Sequence, residues 1–341
     1  LNLSCTSTRD ISSPKNPYDN DRYLIITADD YGASKNINEG IEIAASKNVI
    51  TSISALTNFS ESLSDLKRLA KNHPKIGIGI HLNITTGRPL LPPDQIPTLV
   101  NPSGNFYPLA ELLCRFKDLS HDDIRKELRA QIIAYQELDI RLDHLSDQHG
   151  IMVLYNPFFD IVTELAAELN VPIRSPILAG SKYPDIFSNS QMNKRKRQAA
   201  FQLAVSHPYK ALCLLKNTRI NTMQCKRERL HDLGIVHPDL FITSFWGEPT
   251  QENFSHIIEH LPKGVSEVVV HIGTDTRELA YPSGLETGYF TTRELELSTI
   301  SSDYIREYMN YLNIETINYS KIAEIGQNET RINLAYTKEK D

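Results

Sequence analysis

The chain has 341 residues, 40% hydrophobic and 23% charged, with a net charge of −6 at pH 7. Such a composition suits an ordinary globular protein with length for one large core or two modest ones. The acidic balance excludes a nucleic-acid partner, because the basic run Lys194–Arg197 is short and reads as a solvated helix face. No apolar run approaches the roughly 18 residues of a membrane span.

Residues 1–20 are rich in Ser, Thr, Asn and Asp and lack periodicity, so they read as a disordered or extended lead-in. The first residue is Leu, which reads as a trimmed chain. Cys5 in this tail inclines the reading toward an exported protein, periplasmic or lipid-anchored, over a cytoplasmic one. The cysteines at 5, 114, 213 and 225 form no Cys-x-x-Cys pair, which argues against a thiolate zinc site. Cys213 and Cys225 either pair, if the protein is exported, or stay as thiols.

Tyr23 to Ile26 is an apolar run that reads as a buried strand. It is expected to stop at Thr27-Ala28 and deliver two carboxylates, Asp29 and Asp30, before the breaker Gly32. A helix follows over Asn36–Asn48, capped by Ser34 or Asn36. Val49–Leu56 reads as a strand leading to Asn58. Ser60–Asn72 reads as a helix capped by Ser60, with Leu63, Leu66, Leu69 and Ala70 as its buried stripe. Lys75–Ile80 is the third strand and ends in His81. The loop Gly87–Pro108 holds six prolines, and a loop of that length is usually functional.

Helical patterns cover Leu109–Lys117 and His121–Leu138. Arg141–Gly150 reads as a short strand crowded with polar groups, including His144, Asp147 and His149. Pro157–Leu169 is a helix with proline suited to its first turn. Val171–Arg174 is a short strand. Residues 190–232 are basic and helix-like, an inserted helical region. Strands follow at Leu240–Trp246 and Ser266–His271, and a last one at Ile314–Tyr319. Helices are expected at Gln251–Leu261 and Asp303–Leu312. The single barrel domain is expected over 21–330, with a polar tail at 331–341.

This alternation of about eight strands with helices predicts an α/β fold, a parallel (β/α) barrel with some distortion. The rival is an open doubly wound sheet. The polar residues favour the barrel, since they cluster at strand ends, which form one active-site face in that fold. Asp30, His81 and His149 are a carboxylate and two imidazoles, a set that suits one divalent metal ion, Zn2+ or Mg2+, with a position open to water. Asp29 can then accept a proton from the water, and His271 can donate one to a leaving group. Arg174 either orients Asp29, holds substrate, or forms a structural ion pair. Trp246 offers a flat apolar face to a sugar ring, or packs in the core.

Several blocks resemble the YdjC/ChbG-type carbohydrate deacetylases. They are Thr27–Gly32, Ala55–Asn58, Ile76–Thr85 with Gly87–Pro89, Asp147–His149, Val171–Arg174, and His271–Gly273 with Arg293–Leu297. The resemblance implies a distorted (β/α) barrel, a divalent metal, and removal of an acetyl group from an N-acetylated sugar. It assigns Asp29 as base and Asp30, His81 and His149 as ligands. Asn58 and Arg293, both inside matching blocks, are expected with Trp246 to contact substrate. Two departures stand out. The third block reads Asp147-Gln-His149 where the family has Asp-Ser-His, which leaves His144 or Asp147 open as the ligand. The family's His-Pro-Gly is His271-Ile-Gly273. An O-deacetylase, a phosphoesterase and a sugar-binding protein without catalysis remain as competing readings. The substrate is a small molecule or an oligosaccharide, and a homodimer stays open.

Overall fold

The run at Tyr23 forms the longest strand among the described residues, β1 (Arg22–Tyr31). In this computed structural model the described residues are 22–188, 220–274 and 290–322, with isolated positions at 205, 208, 211 and 212. The lead-in, the basic run at 194–197, residues 190–219 of the inserted region apart from those isolated positions, and the tail at 331–341 lie outside them. So do Cys5 and Cys213; Cys225 is disulfide-bonded.

β1 runs past Thr27-Ala28 because it has neighbours on both edges. β6 (Gly264–Val270) pairs with it from Arg22 to Ala28, and β2 (Ser52–Ala55) from Thr27 to Tyr31. Asp29 and Asp30 therefore lie inside the strand, just before its end. The register with β2 slips between Ala28 and Tyr31, and Asp30 takes a left-handed φ of 71° there. A bulge re-aims a side chain that the plain pleat would send to the opposite face. That is how two consecutive acids reach the same cleft.

β3 (Gly77–Leu82) continues the sheet beyond β2, and β4 (Leu145–Asp147) beyond β3; β5 (Leu240–Ile242) lies outside β6. Every pairing is parallel. Residues 172–178 span the gap between the two outer strands. Leu145 N donates to Pro172 O and Arg174 N to Leu145 O, while Phe241 N donates to Ile177 O. The sheet thus curls into a distorted (β/α) barrel, as expected, with one stave made of isolated bridges. Val171–Arg174 is not the regular strand expected, because Pro172 has no N–H to give a ladder. His81 lies inside β3 rather than after it. β5 ends at Ile242, leaving Trp246 in the following turn, and the last strand shrinks to β7 (Glu315–Thr316) beside Tyr23 and Leu24.

Helices cover the outside. Ser34 caps Lys35–Ser46 by accepting from Ile37 N. Ser60 is instead the first residue of Ser60–Asn72, and Phe59 holds the cap position. The other helices flanking the sheet include His121–Gln136, Asn156–Leu169, Gln251–Glu259, Phe290–Ile300 and Asp303–Tyr311. Ile53, Ile78, Ile80, Val268 and Val270 join the apolar core with Ile41, Leu128, Phe158 and Ile257 from those helices. The alternate strand positions are small or polar: Ser54, Gly77, Gly79 and Glu267. A Cβ on Gly77 would stand 2.1 Å from Asp143 Oδ2, and one on Gly79 2.5 Å from the His144 ring, so the Gly-Ile-Gly pattern makes room for two polar side chains. Tyr319 packs with Ile25, Val265 and Ile317 in a second, smaller apolar cluster. Among the described residues, no single helix is long and apolar enough to cross a membrane.

Candidate active site

The strand ends bring most of the expected residues together. β1 supplies Asp29 and Asp30, β3 supplies His81, and the turn after β4 supplies His149. Arg174 comes from the bridging segment, His271 follows β6, and Arg293 comes from helix Phe290–Ile300. Asp29 accepts two hydrogen bonds from Arg174, Nη1 to Oδ2 and Nη2 to Oδ1, each 2.8 Å. Asp30 Oδ2 accepts from Arg293 Nη2. His81 Nε2 stands 3.7 Å from Asp29 Oδ2 and 3.9 Å from Asp30 Oδ1.

Burial alone would raise both acids. Arg174 outweighs it at Asp29 and holds that carboxyl well below the usual range, with His81 and His271 adding to the effect. Arg293 does the same at Asp30, lowered to about 2, aided by His271 and His81. Burial pushes the imidazoles the other way: His81 is lowered, and His149 and His271 come down to about 4. At neutral pH the cluster therefore holds ionised carboxylates and neutral rings.

The hydroxyl neighbours assign the tautomers. Ser146 Oγ donates to Ile80 O, so its lone pair receives the proton on His81 Nδ1, 2.8 Å away. Thr85 Oγ1 donates to Asn83 Oδ1 and in the same way receives the proton on His149 Nδ1, 2.9 Å away. Both rings thus keep an Nε2 lone pair, the form that binds a metal, and on His149 that lone pair faces the Gln148 amide nitrogen 3.4 Å away. His149 itself has φ 61°. Backbone strain of this kind is concentrated at functional sites.

The donor chemistry fits a cation. Among the described residues, Asp30 Oδ1 is buried and makes no hydrogen bond. His81 Nε2 turns a lone pair toward two negative carboxylates, an unfavourable arrangement without positive charge between them. No three His, Cys, Asp or Glu side chains among the described residues close around one point. Ligands bound at about 2.0–2.2 Å stand roughly 3–3.5 Å apart, so His81 Nε2 and Asp30 Oδ1, 3.9 Å apart, would have to draw together to share an ion.

His144 has both ring nitrogens engaged, Nε2 with Ser54 Oγ at 3.1 Å and Nδ1 with Asp143 Oδ2 at 3.1 Å. Asp147 Oδ2 accepts from Met152 N at 2.8 Å, capping the short helix Ile151–Leu154. Burial raises the Asp147 carboxyl to about 6. A folded-state pKa above the unfolded value means the protonated form favours folding, so this contribution is full below about 4 and lost as pH rises through about 6. Asp147→Asn keeps the cap acceptor and does not titrate. Its stability relative to wild type should rise by on the order of 2–3 kcal/mol between pH 4 and pH 8, read by urea unfolding at both values.

Asn58 and Arg293 both make hydrogen bonds within the chain. Asn58 Nδ2 donates to Thr86 O and Arg88 O, and Asn58 Oδ1 accepts from Asn83 Nδ2 at 3.0 Å. Its amide holds the start of the proline-rich loop. Arg293 is 1% exposed and tethers Asp30. The Trp246 and His271 ring centroids are 6.4 Å apart. Three residues of the site went unnoticed in the sequence. Glu127 carboxylate oxygens accept Leu90 N and Leu91 N, clamping the same loop. Glu296 accepts His271 N and is raised by burial to about 8. Glu267 accepts from Arg174. Its signal was a lone acid within the valine-rich strand Gly264–Val270.

A family model described as YdjC-like protein matches residues 23–311. A carbohydrate deacetylase of Brevibacillus brevis is 26% identical over 301 residues, 88% of this chain and 99% of the relative. A carbohydrate deacetylase of Geobacillus stearothermophilus is 37% identical over 153 residues, 45% of this chain and 59% of the relative. A crystal structure from Enterococcus faecalis, of a protein named for cleavage of cellobiose phosphate, superposes with a TM-score of 0.68. It is 22% identical and the match covers 88% of this chain and 98% of that one.

Proposed function

The chain belongs to the YdjC-like protein family, and from that premise we propose that it is a divalent-metal-dependent hydrolase removing the acetyl group from an N-acetylated amino sugar or oligosaccharide. One observation carries the proposal: Asp30 Oδ1, buried without a hydrogen bond, and His81 Nε2 face each other beside an ionised Asp29. Asp30, His81 and His149 would hold the metal, either Zn2+ or Mg2+. Once bound, the ion supplies Lewis acidity, lowering the pKa of a water and polarising the acetyl carbonyl.

The chain's own groups do the rest. Asp29, ionised and oriented by Arg174, takes the proton of the attacking water. His271 protonates the amine nitrogen as the C–N bond breaks, since an amine leaves poorly without a proton. At neutral pH its ring is uncharged, so the proton that Asp29 removed from the water passes to it as negative charge builds on the oxygens of the tetrahedral intermediate, and from it to the departing amine. The Trp246 ring, beside His271, gives a flat face to the pyranose, and the loop held by Asn58 and Glu127 borders the sugar site.

The test is acetate release from N-acetylglucosamine oligomers by purified protein, before and after chelation. Acetate release that stops with chelator and returns with Zn2+ or Mg2+ is the expected result. Release that ignores the chelator would overturn the metal. No release from any N-acetylated sugar by metal-loaded protein would overturn the deacetylase.

A further inference from the structure

Glu267 is a fully buried carboxylate in the middle of β6, on a strand whose other positions are mostly valine. A charge in such a place is costly unless it is paired and hydrogen-bonded. Its Oε1 accepts from Arg174 Nε at 3.1 Å and Nη2 at 2.9 Å, and its Oε2 accepts the hydroxyl of Tyr319. Arg174 is thus gripped on two sides. One flank meets Glu267, and the tip meets Asp29, with Nη2 donating to both. The guanidinium carbon lies 4.7 Å over the Phe241 ring, which closes one face. Tyr319 in turn stacks on His144, centroids 4.1 Å apart and planes within 15°, and His144 is held by Ser54 and Asp143.

We propose that Glu267 and Tyr319 are positioning residues for the base: they hold the plane of Arg174 so that Nη1 and Nη2 meet both oxygens of Asp29, and so set the direction in which that carboxylate faces the water. The inference rests on Asp29 being the base. The reason is geometric. Arginine is a long side chain with several rotatable bonds, so a second contact at its Nε flank narrows the directions in which its fork can present itself to a carboxylate. Glu267 fixes that flank, and Tyr319 stops Glu267 from turning. Misplacing a reacting group by about 1 Å costs on the order of 10²-fold in rate.

Three variants test it. Tyr319→Phe keeps the ring on His144 and removes one hydroxyl. Glu267→Gln keeps an oxygen for Arg174 and loses the charge. Glu267→Ala removes the grip. With metal content checked, kcat should fall roughly 10-fold in Tyr319→Phe and roughly 100-fold in Glu267→Ala, with KM within about 3-fold, and Glu267→Gln should recover most of the loss. In an Asp29→Asn background, Glu267→Ala should cause no further loss, since there is no base left to position. Wild-type kcat in folded Tyr319→Phe and Glu267→Ala would overturn the proposal, as would a loss that Glu267→Gln fails to recover. If Glu267→Ala does not fold, Tyr319→Phe decides. Asp29→Asn with full turnover would instead overturn the base assignment itself, a different result from normal Tyr319→Phe beside an inactive Asp29→Asn.

Discussion

Asp29→Asn should keep its fold and its metal and lose roughly 10²–10⁴-fold in kcat on N-acetylated sugar. Asparagine has nearly the shape of aspartate, and its amide oxygen can still accept one of the two Arg174 hydrogen bonds. What it cannot do is accept a proton from water. Removing one partner of a buried ion pair usually destabilises by about 3–5 kcal/mol. Here Arg174 keeps a second carboxylate, Glu267. The stability loss should therefore fall below that range. Measuring turnover, metal content and a urea midpoint on the same preparation separates the two effects. A variant that loses metal along with activity would mean that Asp29 is a ligand rather than a base.

His271→Ala should slow amide hydrolysis by roughly 10²–10⁴-fold and hydrolysis of an activated acetate ester far less. The distinction lies in the leaving group: an amine must be protonated as it departs, whereas an activated phenolate leaves as the anion. His271 follows β6, the strand paired with the one that carries Asp29, and both acids raise its pKa against the burial that lowers it. The measurement is kcat/KM for both substrate types in both proteins. Equal slowing of ester and amide would remove the acid role and leave His271 to stabilise negative charge or to support the fold.

Much of the fold could be read from the chain because parallel strands buried on both faces are near-continuous apolar runs, and helices leave a periodic stripe. Tyr23–Ile26, Lys75–Ile80 and Ser266–Val270 all carry that signature. Strand ends were harder. The bulge at Asp30 depends on a register with β2 that only pairing determines, so the acids were expected beyond the strand. The bridging segment at Ile173 was expected as a strand because its apolar character outweighed the missing donor of Pro172. At the site, the polar groups at strand ends were visible as residue types. Their assignments were not. Asn58 looked suited to substrate, yet its amide meets the Thr86 and Arg88 carbonyls, a contact between segments about thirty residues apart. The Gly77 and Gly79 pair reads only as part of a strand; what it makes room for, Asp143 and His144, lies far along the chain.

β1 carries both acids near the beginning of the barrel, but its long edge is completed by residues 264–270, and Asp30 is paired with Arg293. Contacts so distant in sequence form late, because the intervening loop must close first. A ribosome that has released the first half of this protein has therefore released every ligand candidate and no assembled site. The nascent chain should stay catalytically silent until Arg293, Glu296 and Tyr319 have all emerged. Chains stopped before residue 293 should release no acetate, and full activity should return only in chains that extend past Tyr319. For the finished protein, the amides of Leu24 to Ala28 should be the last to exchange with solvent, since opening them requires the whole ring to come apart.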